Sequence, residues 1–321
     1  MTRALILCAV IAFLGCQTTG HVPPEAPQLL RCDSNAEIRS PSSDDGATLL
    51  DGVSSASQPE TRGNTVHAIC TQGMVEVPAG TAVLGSTKDE AKRALELCKD
   101  DPMSTRDSCK IDHERETPRR EVFIGRFWIG QHEVTVGEYE VCMGEGVCTS
   151  PAMTGVLCNR NTHIQGLPHN PINCVTWQQA DSYCQWRRQR LPTADEWEKA
   201  ARGSTGQTFP WGEDLPGCEH GYGQRGGCAA WVTLEEDTAQ VGSFPLDRSP
   251  FGVMDMAGNV SEWTGTAFED GYRIIKGGGA YSSPAELRGA NFMFADEKDA
   301  DVFIGFRCAY SEEEEAPAPG P

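Results

Sequence analysis

Fourteen cysteines are the residues of this 321-residue chain with the widest chemical reach. A thiol can attack a substrate, hold a soft metal or close a disulfide, and spacing and compartment decide which. No Cys-x-x-Cys pair occurs, so the usual frame for zinc or dithiol redox chemistry is missing. Cys8 lies in a leading apolar segment and Cys16 directly follows it, which leaves twelve cysteines, an even number suited to disulfides. Other reactive groups are sparse. His113-Glu-Arg-Glu116 resembles a metal-binding fragment, but no second histidine stands four residues on, and we read it as surface charge. Asn259-Val-Ser261 has the form of a glycosylation sequon, yet its surroundings place it inside the fold. No Ser/His/Asp order, phosphate loop or dinucleotide fingerprint is present.

The leading segment sets the compartment. Arg3 precedes an apolar run from Ala4 to Leu14, then Gly15-Cys16 and a polar stretch. Eleven apolar residues suit the core of a signal peptide and are too few to span a bilayer. Phe13-Leu-Gly-Cys16 resembles a bacterial lipobox, so residues 1–15 are expected to be a lipoprotein signal peptide. Cys16 then carries the lipid that ties the chain to the membrane of the bacterial cell envelope. Residues 16–71 are rich in Ser, Pro, Gly, Thr and Asp and read as a flexible tether, because they cannot bury enough surface to offset chain entropy. Residues 311–321, with Glu312 to Glu315 and an Ala/Pro run, read as an acidic solvated tail. Residues 72–310 remain for one sizeable domain. The net charge of the whole chain, −19, repels nucleic acid and excludes that partner class.

Positioning elements are few. Met74-Val-Glu-Val77 alternates and ends in a Pro/Gly turn, and Phe123 to Ile129 and Ile274-Ile275 are further strand candidates. Thr135-x-x-Glu138, Thr176-x-x-Gln179 and Thr193-x-x-Glu196 each fit a capping box and start a helix. Trp177, Ala180 and Cys184 in the second, and Trp197, Ala200 and Ala201 in the third, form helical core faces. Thirty-four glycines and 20 prolines mark the rest as loop.

Seven blocks in order carry a family likeness: Asn170-Pro-Ile-Asn-Cys-Val-Thr-Trp177 with Ala180-Asp-Ser-Tyr-Cys184, Arg190-Leu-Pro-Thr-Ala-Asp-Glu-Trp-Glu-Lys-Ala-Ala-Arg202, Phe209-Pro-Trp-Gly212, Met256-Ala-Gly-Asn-Val-Ser-Glu-Trp263, Lys276-Gly-Gly278 and Gly305-Phe-Arg-Cys308. Together these resemble the formylglycine-generating enzyme, or sulfatase-modifying factor, family. The resemblance implies an α+β fold, a loop-rich and disulfide-stapled variant of the C-type lectin. It also implies a disulfide between Cys184 and Cys308. Of the other cysteines, Cys98–Cys109 and Cys218–Cys228 each close a short polar loop. Cys142, Cys148, Cys158 and Cys174 are expected to pair among themselves, most simply as 142–148 and 158–174, which leaves Cys32 to Cys70.

The family's oxidases follow the glycine block with a serine and two cysteines that hold copper(I). Aligned on Lys276-Gly-Gly-Gly-Ala-Tyr-Ser-Ser-Pro-Ala-Glu-Leu-Arg288, the serine becomes Gly279, the first cysteine Ser282, and the second falls near Leu287. A hydroxyl and an isobutyl group are poor partners for a soft ion, so no copper is expected. The family's calcium loop carries over as side-chain oxygens from Asp255 and Glu262 and carbonyls from Gly258 and Val260, giving one expected calcium site. A second family site loses its Ala-Asn pair, since Cys218-Glu-His-Gly stands there. His163, His169, Tyr281, Ser282 and Arg307 are candidates for the cleft, although Arg307 reads first as a buried cation organising carbonyls or a carboxylate.

Three functions stay open from sequence. The first is a non-oxidase module that binds an envelope protein, peptide or glycan. The others are an enzyme of altered chemistry on the same cleft, and a purely structural envelope protein.

Overall fold

The computed structural model describes residues 71–101, 113–155, 157–161, 167–220 and 238–312. The leader, Cys16 and the tether up to residue 70, the tail from 313, and Cys32, Cys70, Cys109, His163 and Cys228 lie outside the described residues.

Two small sheets open the domain. Strand β1 (Met74–Val77) and strand β2 (Gly80–Leu84) are separated by the Pro78-Ala79 turn. The Phe123–Ile129 stretch, expected as one strand, is two: β3 (Arg120–Ile124) pairs with β2, and β4 (Phe127–Gly130) pairs with β1. The break at Gly125-Arg126 lets the chain pass from one sheet to the other. Phe127 and Ile129 are buried, whereas Phe123 is 71% exposed. Between β2 and β3 lies a helix the sequence reading missed, α1 (Lys88–Asp100), capped by Thr87 with the full Thr87/Glu90 box. Its fully buried residues are only Ala91, Ala94 and Cys98, with Leu95 and Leu97 partly buried beside them, too slight a face to stand out against its charged residues.

The three expected helices are all present with both halves of each capping box formed. They are α2 (Val136–Gly144), α3 (Trp177–Trp186) and α4 (Ala194–Arg202). In each, the threonine hydroxyl accepts from the third backbone amide, and the Glu or Gln side chain accepts from the threonine amide, satisfying two otherwise orphaned first-turn donors. Further on, β5 (Ser261–Glu269), β6 (Tyr272–Lys276), β7 (Met293–Asp296) and β8 (Ile304–Gly305) form a sheet ordered β7-β6-β5-β8, with β5 and β8 parallel. A last short strand, β9 (Ala309–Tyr310), completes the sheet β1-β4-β9.

Two apolar clusters hold these parts together. One joins α2, α3 and the β5–β6–β8 region through Tyr139, Tyr183, Trp263 and Phe306. The other packs α4 under β1–β4 through Trp197, Ala200, Ala201 and Met256. Disulfides join Cys142 to Cys148, Cys158 to Cys174, and Cys184 to Cys308, as expected. The last spans 124 residues and ties α3 to the chain just before β9. In the chain-entropy model a loop of that length is stabilised by about 5 kcal/mol. Cys98 and Cys218 are also disulfide-bonded. No described helix is long and apolar enough to cross a membrane.

Candidate functional site

Strand β6 delivers Lys276 into the glycine turn on which the oxidase comparison rests. Gly277 and Gly278 take φ of +93° and +70°, a region open to glycine. A Cβ on Gly278 would meet Ser282 Oγ and Leu287 Cδ2 at 3.0 Å each, so these two side chains converge on one point. Ser282 Oγ accepts from Gly279 N at 3.1 Å, and Ser282 N donates to Gly279 O, so the hydroxyl serves as a turn clamp. Leu287 is buried with Phe209 and Ala257, and Trp211 packs against them. Leu287, near which the family resemblance puts the second cysteine, is thus a packing residue. Every described cysteine is disulfide-bonded, so no free thiol stands among the described residues.

The remaining cleft candidates do not gather. Tyr281 packs edge-on against Phe303 at 5.4 Å. His169 is exposed, and its carbonyl accepts from Val241 N. None of His169, Tyr281, Ser282 or Arg307 lines the cavities beside α1, beside His132 or beside Glu116.

Arg307 is fully buried and is a structural cation. Its Nε and Nη2 donate to the two oxygens of Glu262 at 2.7 Å, and its remaining bonds go to the carbonyls of Gly130, Gln131 and Asp255. Trp197 Nε1 also donates to Glu262, at 2.8 Å. Asp255, at φ +56°, accepts through Oδ2 from Gly242 N at 2.6 Å and pairs with His132 Nδ1 at 3.0 Å. Calcium needs six to eight oxygens free to turn toward it. In this arrangement both Glu262 oxygens face donor hydrogens and Asp255 Oδ2 accepts two bonds, so the set carried over from the family does not fit a calcium shell, and we derive no chemistry through the ion. No group of three or more His, Cys, Asp or Glu side chains converges as a metal centre among the described residues.

Two further acids sit by this cluster and were not singled out from sequence. Glu133 and Asp247 are each 2% exposed. Burial, reinforced by Asp255, pushes both carboxyls well above their usual range. No other residue hydrogen-bonds either oxygen of Glu133, on which its own backbone N–H acts, and Asp247 Oδ1 has no partner. Glu133 lies in His-Glu-Val-Thr between β4 and the cap of α2; a carboxylate next to a strand of core residues was the available signal.

The Arg190–Arg202 block proves to be scaffolding. Glu198, buried on α4, accepts from Gly85 N, Arg202 and Lys276. Arg202 also donates to the carbonyls of Gly85, Gly206 and Gln207, and Lys199 to those of Pro78, Gly80 and Ile124. These cations close backbone groups that the loops leave open, which is why α4 buries charge all round. Glu116 corrects the surface reading of the His113–Glu116 turn: it is buried and pairs with Arg288 and Ser86 Oγ. Asn259 is buried, as expected, and its Oδ1 accepts from Ala239 N.

Short strands, capped helices and loop-borne charge networks make this a loop-rich, disulfide-stapled α+β domain. Residues 60–312 match the family model described as the sulfatase-modifying factor enzyme 1-like domain, and the chain belongs to that family. It is 36% identical over 137 residues to a formylglycine-generating enzyme of Mycobacterium tuberculosis, covering 40% of this chain and 44% of that protein. It is 33% identical over 152 residues to an inactive C-alpha-formylglycine-generating enzyme 2 of Bos taurus, covering 43% of this chain and 50% of that one. The chain thus spans about half the length of the curated relatives it matches. The solved structure of PvdO from Pseudomonas aeruginosa superposes with a TM-score of 0.56 at 25% identity, covering 74% of this chain and 93% of that one. The fold is the C-type-lectin-like variant of this family.

Proposed function

We propose that the chain is a non-oxidase member of its family, a ligand- or protein-binding module held at the bacterial cell envelope by lipid on Cys16. One observation carries the reading. Ser282 and Leu287 meet at Gly278, where the resemblance puts the two copper cysteines, and Leu287 is sealed by Phe209 and Ala257. Copper(I) chemistry on a thiol substrate needs soft ligands and a sulfur able to exchange, and neither side chain supplies them. That relatives include both a formylglycine-generating enzyme and an inactive counterpart is consistent with loss of the activity inside the family. Recognition of an envelope protein, peptide or glycan is the role left to the scaffold.

The test is direct. The purified full chain, supplied with copper(I) and a single-cysteine peptide of the sulfatase type, is followed by mass spectrometry. No aldehyde is expected, and competition with a copper(I) chelator should show no tight binding. Aldehyde formation above a no-protein control would overturn the proposal.

A further inference from the structure

Tyr272, Ile274 and Lys276 alternate onto one face of β6, and that face is covered unevenly. At Lys276 it packs on α4, where the buried ammonium donates to Glu198, and at the hairpin end it is open, with Tyr272 38% exposed. Four rings gather there. Phe268 stacks on Phe294 with centroids 4.2 Å apart, Tyr272 meets Phe294 edge-on at 5.9 Å, and Phe292 lies 6.2 Å from Phe268. The guanidinium of Arg115 sits 5.2 Å from the Phe294 centroid, so this ring surface already takes a cation. Around the exposed ring the charge is negative. A β-bulge after Ala267 sets Glu269 opposite Tyr272 on β5, and Asp296 is its partner on β7. Cross-strand partners hold their Cβ atoms about 5 Å apart, which brackets Tyr272 between two carboxylates.

We propose that this end of the hairpin docks an arginine from a basic segment of a partner protein, with the guanidinium laid on Tyr272 and its N–H groups directed at Glu269 and Asp296. This names a partner for the binding module proposed above and rests on that reading. Charge complementarity selects the occupant. No described residue forms an ion pair with Glu269, Asp270 or Asp296, and only the Lys298 amide donates to the Asp296 carboxylate. Two nearby guanidiniums are engaged elsewhere: Arg115 on Phe294, and Arg273 over Trp177 and paired with Glu297 on the opposite face. Lys298 is exposed past β7. Arginine suits the surface better than lysine, because its planar fork stacks on a ring and still donates sideways to carboxylates. A quaternary ammonium has no donor for them. An uncharged glycan would stack on the rings yet leave the charge unanswered.

Fluorescence anisotropy tests it, with the purified full chain, disulfides intact, and a labelled peptide of alternating glycine and arginine. Salt at about 0.15 M screens charges farther than roughly 8 Å from the site. Saturable binding is expected, and the same peptide with citrulline for arginine, similar in shape but uncharged, should bind about tenfold more weakly. Tyr272→Leu keeps every charge and should lower affinity about two- to fivefold, the worth of an exposed cation–π contact. Glu269→Gln with Asp296→Asn should lower it about tenfold. Asp89→Asn with Glu121→Gln, the same change in net charge on exposed groups elsewhere, should leave it unchanged. The citrulline peptide keeps the test decisive if a variant fails to fold, because it needs no substitution. No saturable binding up to about 1 mM, equal affinity for the citrulline peptide, equal loss in the two double variants, or unchanged affinity in a folded Tyr272→Leu chain would each overturn the proposal. So would displacement of the peptide by phosphocholine as readily as by Nα-acetyl-arginine amide, which would assign the surface to a lipid headgroup. Aldehyde formation in the earlier test overturns the non-oxidase reading without altering this readout, so the two can fail separately.

Discussion

Arg307→Met should be among the most damaging single changes in the domain. The guanidinium is fully buried, holds both oxygens of Glu262 at 2.7 Å, and closes the carbonyls of Gly130, Gln131 and Asp255. Methionine approximates the stem and removes every donor. Glu262 is then left buried with only Trp197 Nε1 to answer its charge, in a cluster already holding Asp255 and Glu133. Removing one partner of a buried pair costs about 3–5 kcal/mol, chiefly through the charge left behind. At about 2–4 °C per kcal/mol for a domain of this size, the thermal midpoint should fall by roughly 6–20 °C. If the stranded carboxylate is the main cause, Arg307→Met with Glu262→Gln should be less damaging than Arg307→Met alone, by about 2 kcal/mol. Urea unfolding at neutral pH, under oxidising conditions, gives the three free energies of the cycle. A loss below about 1 kcal/mol for Arg307→Met would show that water reaches the cluster. Strict additivity of the two substitutions would refute the claim that the pair is one unit.

Calcium supplies a second prediction. Because Arg307 occupies Glu262, the thermal midpoint should not move between excess calcium and chelator; a rise of several degrees with calcium would show that the ion displaces the guanidinium. The third concerns pH. Glu133 and Asp247 have folded values raised above the unfolded ones, near 4.3 and 3.9. Their contribution to stability is therefore fully present below about pH 4 and is lost as pH rises through the raised folded values. Glu133→Gln should gain stability relative to the parent chain between pH 5 and pH 8, measured by urea midpoints at each pH, and parallel profiles would contradict the assignment.

Much of the fold was legible because it is written locally. A threonine followed three residues on by Glu or Gln carries a helix start within four positions, and all three such starts formed. The same device at Thr87 and Glu90 was overlooked, since the helix behind it buries only small residues. Strand β5, the longest, also escaped notice: Ser-Glu-Trp-Thr-Gly-Thr-Ala-Phe-Glu lacks clean alternation because its first four residues are buried on both faces. Phe123–Ile129 looked continuous because alternation does not show where a chain changes sheets.

Charged side chains were the harder class, for a physical reason. A sequence gives the sign of a charge but not the burial that determines its cost, and in a loop-rich domain many charges are buried to close backbone groups that helices and sheets would have closed. Lys199, Arg202 and Arg307 each bond two or more carbonyls, which makes them parts of the backbone network rather than members of a cleft. Glu262 and Arg307 act in the same way, joining β5 to the end of β4 and to the Asp255 loop. Conversely, Glu133, Asp247 and Arg187, each buried with a polar atom that no other residue answers, lie outside the blocks that carried the family likeness. The glycine turn is organised on the same terms, with Ser282 Oγ clamping its backbone and Leu287 packed against Phe209 and Ala257.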